Sequence, residues 1–252
     1  MTGFSRYLHS DFLKLKRQPQ LLIHIIVPAV GIIIFLAYYS YAPWTPVSKV
    51  AGYLETLAVA FPFLIGFVCS MLTEQEAAAG NYQYMLTSPV KLLPFFSMLI
   101  SLLILGFGAV TLASVGFGIG FMSILHIMPY SLDFFFYVAC VLHISSIFLY
   151  VLHLLVGLRF GKGASMGLGI VESLLSALFL TGLGEGRWQF LPCAWGARFV
   201  SGFARYSSGI NGSSYVIPEI HTGIGFCVAE TAVVILFACV WFYRWEGRKS
   251  EE

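Results

Sequence analysis

The chain alternates between long apolar stretches and short segments that contain most of its charged residues. Six stretches come near or above the roughly 20 apolar residues that a helix needs to cross the hydrocarbon core of a bilayer. They cover residues 21–39, 52–72, 92–116, 134–158, 165–183 and 220–243. This pattern predicts an all-α polytopic membrane protein with six transmembrane helices. No repeat or low-complexity segment divides it, so residues 1–252 are expected to form a single transmembrane domain.

The third span is difficult to delimit because residues 92–132 contain no Asp, Glu, Lys or Arg. This stretch is long enough for two short spans, which would give seven helices. Three closely spaced glycines, Gly116, Gly118 and Gly120, and the later Pro129 favour a turn after the first crossing. We therefore predict one span that ends near residue 116, followed by an apolar outer hairpin.

The distribution of basic residues predicts the orientation. With the N-terminus in the cytoplasm, ten of the 14 Lys and Arg residues fall in inner segments and four fall in outer segments. Inner loops of membrane proteins carry an excess of Lys and Arg. Both termini are therefore expected to be cytoplasmic, and a seventh span would destroy the asymmetry.

Composition agrees with the membrane class and excludes others. Hydrophobic residues make up 58% of the chain, charged residues 10%, and the mean hydropathy is +0.85. A net charge of +2 without a basic, aromatic-rich surface argues against a nucleic-acid partner. No Cys or His pair has the spacing of metal ligands, so we expect no metal site.

The inner segment 73–91 contains a helix-forming stretch. Glu74 and Glu76 precede three alanines, and Gly80 follows as a candidate C-cap. Acidic residues in a first turn favour helix formation through the helix dipole. We predict a short helix here that lies along the inner face of the membrane.

The outer segment 184–219 mixes aromatic residues with arginines. Trp188, Trp195 and Arg198 are its most prominent members. Such residues are typical of the headgroup layer of a bilayer. We predict that they form an extracellular interface with lipid.

Two carboxylates, Glu172 and Glu230, lie inside predicted spans, where a charge costs about 3 kcal/mol on insertion scales. At 100° per residue, Ser165, Gly169, Glu172 and Ser176 share one arc of the fifth span, which should face protein or water. One interpretation is a hydrated groove, lined by Glu172, Glu230 and Ser176, for a cationic substrate. The other is structural pairing with a histidine, a hydroxyl or another subunit, or simple protonation. The sequence leaves both open.

The inner segment also resembles a known family. The acidic stretch from Glu74 is followed by Gly80 and by an exit with Leu86, Ser88, Pro89 and Val90. This arrangement between the second and third spans is similar to that of ABC-2-type permeases. The resemblance implies a permease subunit whose short helix docks on a separate ATPase. It assigns the coupling role to Glu74, Glu76, Gly80, Leu86 and Pro89.

Four further segments resemble the permeases of lantibiotic-immunity transporters, nearer the G-type than the E-type subunit. They are residues 10–16, 159–173, 180–184 and 191–195. The resemblance implies export of a cationic bacteriocin peptide from the bacterial cytoplasmic membrane, for self-immunity. It also implies an assembly with two copies of an F-type ATPase and one E-type permease.

The chain lacks a phosphate-binding loop of the Walker type. The segment around Gly161, Lys162 and Gly163 has neither the upstream glycine nor the hydroxyl residue that the motif requires. We therefore expect no enzymatic activity and no bound cofactor, with ATP and Mg²⁺ held by the partner ATPase. The alternative function is a non-transporting membrane sensor, scaffold or peptide-sequestering immunity protein. A secondary transporter is disfavoured because no two halves match in hydropathy.

Overall fold

The computed structural model describes residues 3–15, 18–127, 129–209 and 213–248. Within these ranges the chain forms α-helices, two short 3₁₀ turns and no β-strand. The helices are α1 (Gly3–Leu15), α2 (Pro19–Tyr41), α3 (Pro46–Ala78), α4 (Gln83–Leu86), α5 (Leu92–Leu125), α6 (Leu132–Ser145), α7 (Ile147–Phe160), α8 (Lys162–Leu180), α9 (Pro192–Ser207) and α10 (Ser213–Arg244). The 3₁₀ turns are Gly182–Gly184 and Trp188–Phe190.

The described helices account for the predicted membrane spans. Five helices, α2, α3, α5, α8 and the 218–244 part of α10, are long and apolar enough to cross a bilayer. The helices α6 and α7 together form a sixth, bent by 43°. The bend lies at Ser145 and Ser146, whose hydroxyls both donate to the Leu142 carbonyl oxygen, at 3.1 and 2.7 Å. Hydroxyl bonds of this kind bend helices. The all-helical polytopic fold is confirmed.

The prediction for residues 92–132 needs correction. One span is present, but α5 continues as a single helix to Leu125, so the end near residue 116 and the glycine hairpin are wrong. The glycines serve close helix packing. A Cβ at Gly118 would lie 2.6 Å from the Phe135 ring of α6, and a Cβ at Gly120 would lie 2.5 Å from Leu36 of α2.

The predicted separate helix after residue 73 is also corrected. Glu74 and Glu76 belong to the last turns of α3, which runs without interruption to Ala78. The reason is the good helix propensity of the Glu-Gln-Glu-Ala-Ala sequence, with no Gly or Pro before Gly80. The inner loop is therefore shorter than the predicted 73–91 and begins at residue 79.

An N-terminal helix, α1, was not among the predicted elements. Its apolar residues recur at helical spacing, and Phe12 packs against the main core. The helix lies along the first turns of α5. It therefore covers one end of the bundle.

Helix α3 is the central element, in contact with α5, α7, α8 and α9. Its approach to α8 depends on two glycines. A Cβ at Gly66 would lie 2.8 Å from the Ser165 carbonyl oxygen, and a Cβ at Gly169 would lie 3.1 Å from the Phe63 Cα. On the other side, the ring of Tyr53 stacks on Phe117 of α5, with centroids 3.7 Å apart. Motion of α3 would thus displace most of the bundle.

Candidate functional site

The end of the bundle that the basic residues predict to be cytoplasmic is called the inner end below. It consists of α1, the last turns of α3, the segment 79–91 with α4, the α7–α8 connection at 159–162, and residues 245–248 after α10. Four separate parts of the chain meet here, since residues 79–91 directly continue α3. Both predicted coupling carboxylates lie among them.

Glu74 connects the end of α3 to two distant segments. Its carboxylate accepts from the Arg248 guanidinium at 2.7 and 3.4 Å and from the Lys162 backbone N–H at 3.2 Å. The hydrogen bond from Arg248 to Glu74 also raises the pKa of Arg248, so that guanidinium stays charged. The side chain of Glu74 is 36% exposed. This carboxylate therefore already has partners within the chain.

Glu76 points the other way and is nearly buried. Its Oε1 accepts from Lys14 Nζ of α1 at 2.7 Å, and only 7% of its side chain is exposed. Lys14 also contacts Asp11 at 3.3 Å, and Asp11 accepts from the Ser97 hydroxyl of α5. The chain from Glu76 through Lys14 and Asp11 to Ser97 thus joins α3, α1 and α5.

Two groups in this series of contacts, Asp11 and Lys14, have shifted pKa values. Burial raises the pKa of Asp11, although Ser97 and Lys14 act in the opposite direction. Burial alone would lower the pKa of Lys14, but its hydrogen bond to Glu76 and the nearby carboxylates raise it overall. Lys14 therefore remains a cation and a stable partner for Glu76.

The turn after α3 has an unusual backbone. Gly80, Asn81 and Tyr82 have φ angles of 147°, 49° and 66° in succession. A positive φ is easy for glycine and strained for residues with a Cβ. Gly80 was predicted as the C-cap of the helix before it, but the C-cap of α3 is Ala79. Gly80 follows Ala79 and starts a reversal that returns Tyr82 to the bundle.

The returning segment is fixed by aromatic contacts. Tyr82 is 1% exposed and packs edge-on against Trp245, with centroids 5.0 Å apart. Met85 of α4 is also buried, while Leu86 is half-buried beside Gly247. The Tyr7 hydroxyl of α1 lies 2.7 Å from that of Ser88. The turn is therefore held on one side only.

The other side of the turn is exposed. It presents exposed residues between the end of α3 and the segment before α5: Ala78, Ala79, Gly80, Asn81, Gln83, Tyr84, Thr87, Pro89 and Val90. Of the predicted coupling residues, Gly80 and Pro89 belong to this exposed face. Glu74, Glu76 and Leu86 lie behind it and support it.

Glu172 is placed among protein groups and does not border an open groove. Its Oε2 lies 2.8 Å from Nε2 of His153 on α7, and 8% of its side chain is exposed. His153 Nδ1 lies 3.1 Å from the Ser165 hydroxyl, which also donates to the Gly66 carbonyl oxygen at 3.0 Å. This network joins α3, α7 and α8, so the geometry matches the structural-pairing alternative.

The predicted arc of the fifth span is confirmed. Ser165, Gly169, Glu172 and Ser176 are the buried residues of α8. The Ser176 hydroxyl is enclosed and has no hydrogen-bond partner within the described ranges. In this arrangement Ser176 is therefore enclosed by protein and does not line a hydrated groove.

Glu230 differs from Glu172. It is half-buried on α10, and among the described residues no ion pair or hydrogen bond reaches its carboxylate. Much of α10 around it is exposed and apolar, including Val228, Val233 and Leu236. This face of α10 is open to lipid, to substrate or to another subunit.

The outer segment is more deeply packed than predicted. Trp188 and Trp195 are 2% and 0% exposed, because they form a small core with Phe199 and Cys227. Their indole N–H groups donate to Glu219 and to the Gln189 carbonyl oxygen, at 3.3 and 2.8 Å. Apolar contacts and satisfied N–H groups explain why both rings are buried in protein and not exposed at the surface.

Arg198 binds the C-terminus of α8 at the same end of the bundle. Its guanidinium donates to the carbonyl oxygens of Phe179 and Thr181, at 2.5 and 2.7 Å. These are carbonyls at the C-terminus of α8, which lack helical partners. Arg198 therefore caps α8 from α9.

Sequence comparison decides the family. The family model described as ABC-2 family transporter protein matches residues 7–177, from α1 through most of α8. The chain belongs to this family. The ABC-2 protein is accordingly a multi-pass integral membrane protein and the permease subunit of an ABC transporter, which works with an ABC ATPase. No curated protein and no solved structure matches the chain.

Proposed function

We propose that this ABC-2 permease exports a cationic lantibiotic or related bacteriocin peptide from the membrane and so protects the producing cell. The resemblance of residues 10–16, 159–173, 180–184 and 191–195 to lantibiotic-immunity permeases supports the proposal. Membership of the ABC-2 family supports its transporter part. Its partners are two F-type ATPase copies, which bind ATP and Mg²⁺, and an E-type permease.

One observation carries the coupling part of the proposal. The exposed turn after α3 is continuous with the central helix of the bundle, and the ion pairs of Glu74 and Glu76 fasten α3 to residues 245–248 and to α1. A force applied to the turn by an ATPase would therefore move α3 together with its neighbours. The face around Gly80 and Pro89 is the proposed docking surface.

The substrate part assigns a role to Glu230. Its half-buried carboxylate, without an ion-pair partner among the described residues, supports attraction of a cationic peptide along α10. Glu172 is not part of this proposal, because its carboxylate is already paired with His153.

The test is peptide-stimulated ATP hydrolysis by the complete transporter in nanodiscs, with a lantibiotic as the probe. Gly80→Val places a Cβ at a φ of 147°, which strains the docking turn by about 1–3 kcal/mol. We expect this variant to insert normally but to lose most of the stimulation. Gly163→Val is the matched control, since Gly163 also lies at the inner end in open space and has no positive φ.

Three outcomes separate the parts of the proposal. Stimulation by lantibiotic that Gly80→Val abolishes and Gly163→Val retains supports both parts. Stimulation that survives Gly80→Val contradicts the docking turn. If the transporter hydrolyses ATP but its rate never responds to a cationic lantibiotic, the result contradicts the proposed substrate.

A further inference from the structure

A slot lies between α2 and α3, with α5 as its back wall. Its cavity volume is about 170 Å³. The wall contains apolar and small residues from the three helices, among them Val27, Gly31, Leu57, Ala60, Leu64 and Ala109. Along α2 it reaches from Ile23 to Phe35, which corresponds to about 18 Å at the rise of an α-helix. The space is therefore long and narrow.

The helices α2 and α3 touch at both ends of the slot and separate between them. At the inner end, the Gln20 side-chain amide donates to the Val68 carbonyl oxygen at 3.4 Å. At the outer end, Lys49 donates to the Tyr39 carbonyl oxygen at 2.7 Å. Between these contacts α2 packs mainly against α5. The slot is closed above and below and opens sideways.

The opening lies at the depth of the hydrocarbon core. Both helices that frame it are membrane spans, and the slot occupies their middle sections. Val27, which is 40% exposed, and Thr56 lie at its mouth. Hydrocarbon chains are the medium at this depth, so a lateral opening here admits lipid tails before any other molecule.

The slot wall is mainly apolar, and its polar side chains are His24 at the inner end, Thr56 at the mouth, and Tyr53 and Tyr150. His24 is the titratable polar side chain of its inner end, and its Nδ1 lies 2.8 Å from the Gln20 carbonyl oxygen. It follows only five residues after the first residue of α2, Pro19, and so lies near the inner headgroup layer. A ligand with a polar group at the level of His24 and an apolar tail toward the bilayer centre matches this imidazole and the mainly apolar wall beyond it.

The back wall is shaped to keep the slot open. Tyr150 of α7 reaches the slot past Gly106 of α5, where any Cβ would collide with its hydroxyl. Tyr53 is held against α5 by donating to the Ala113 carbonyl oxygen at 2.9 Å. Both rings are fixed, so the slot is bounded by rigid groups and does not depend on a chance rotamer.

We propose that this slot binds one acyl chain of a bilayer lipid, with the lipid's ester region near His24. The shape, the apolar wall and the sideways opening at mid-membrane depth together specify a single flexible hydrocarbon chain. A lipid bound there fills the space between α2 and α3 and sets their separation. The proposal is independent of the peptide substrate and of the docking turn.

The test uses photoreactive phosphatidylcholine with a diazirine in the middle of one acyl chain. The protein is labelled in nanodiscs, and modified residues are mapped by mass spectrometry. We expect labelling of Leu57 and Leu64 inside the slot, in addition to the exposed Ile33 and Ile34, which report ordinary lipid contact.

Two variants fill the slot and one leaves it free. A Cβ at Gly31 meets no atom within 4 Å, so Gly31→Leu extends into the space, and Ala60→Leu narrows it independently. Gly108→Leu is the matched control on α5, since it too enters open space but lies outside the slot. Slot labelling should fall about tenfold in the first two, which is the effect of two lost methylene contacts, and persist in the control.

Each outcome decides the proposal. A selective loss of slot labelling relative to Ile33 and Ile34 supports it. Slot labelling that is absent in the wild-type protein, or that Gly31→Leu and Ala60→Leu leave unchanged, overturns it. Labelling that disappears when the second permease is added, together with a cross-link from Thr56 to that permease, also overturns it, because the slot is then a subunit interface.

Discussion

The ion pair between Glu74 and Arg248 at the inner end is partly exposed, whereas the pair between His153 and Glu172 is enclosed in the bundle. The side chains of Glu74 and Arg248 are 36% and 27% exposed, against 8% for Glu172 and 0% for His153. Exposed pairs contribute little to stability, with typical values of about 0–1 kcal/mol. Removing one partner of a buried pair costs about 3–5 kcal/mol. The difference predicts that the bundle interior resists the loss of an ion-pair partner less well than the inner end does, so that such a loss costs more stability in the interior.

The largest expected effect is at the buried pair. His153→Leu removes the imidazole and leaves Glu172 without its partner in the bundle, which should cost about 3 kcal/mol. Glu172→Gln should cost less, because an amide can still hydrogen-bond to His153. Thermal unfolding in detergent measures both. Equal melting temperatures for His153→Leu and the wild-type protein would show that the network is not structural.

A smaller effect is expected at the inner end. Arg248→Gln, Glu74→Gln and the double variant form a cycle, for which we expect a coupling energy of about 0.2–1 kcal/mol that falls as salt is added. Arg244→Gln is the control, because no ion pair of Arg244 is present among the described residues. A loss of stability in the cycle larger than that of His153→Leu would reverse the comparison between the exposed and the buried pair.

The membrane fold followed from the sequence because apolar length is a direct physical requirement of the bilayer. All six predicted spans correspond to described helices or to the bent α6–α7 pair. Their ends were less accurate. Helix propensity continues through Glu74–Ala78, and the α5 glycines pack against Phe135 and Leu36, so neither feature ended its helix.

The candidate site was predicted only in part. Motif resemblance predicted Glu74, Glu76 and Gly80 as coupling residues. It did not predict the ion-pair partners of the two carboxylates, because Lys14 lies 62 residues from Glu76 and Arg248 lies 174 residues from Glu74. The periodicity of α1 was the available signal for the first partner. The buried positions of Trp188 and Trp195 depend on packing with α10, which local composition does not reveal.

The central claim is that the exposed turn after α3 docks on the ATPase, and photo-cross-linking tests it most directly. Benzophenone-phenylalanine replaces Gln83, which is exposed on the turn, or Trp44, which is 50% exposed between α2 and α3 at the opposite end. The claim predicts a cross-linked band containing permease and ATPase from position 83 and none from position 44. A band from position 44, or no band from position 83 while the two proteins co-purify, would contradict it.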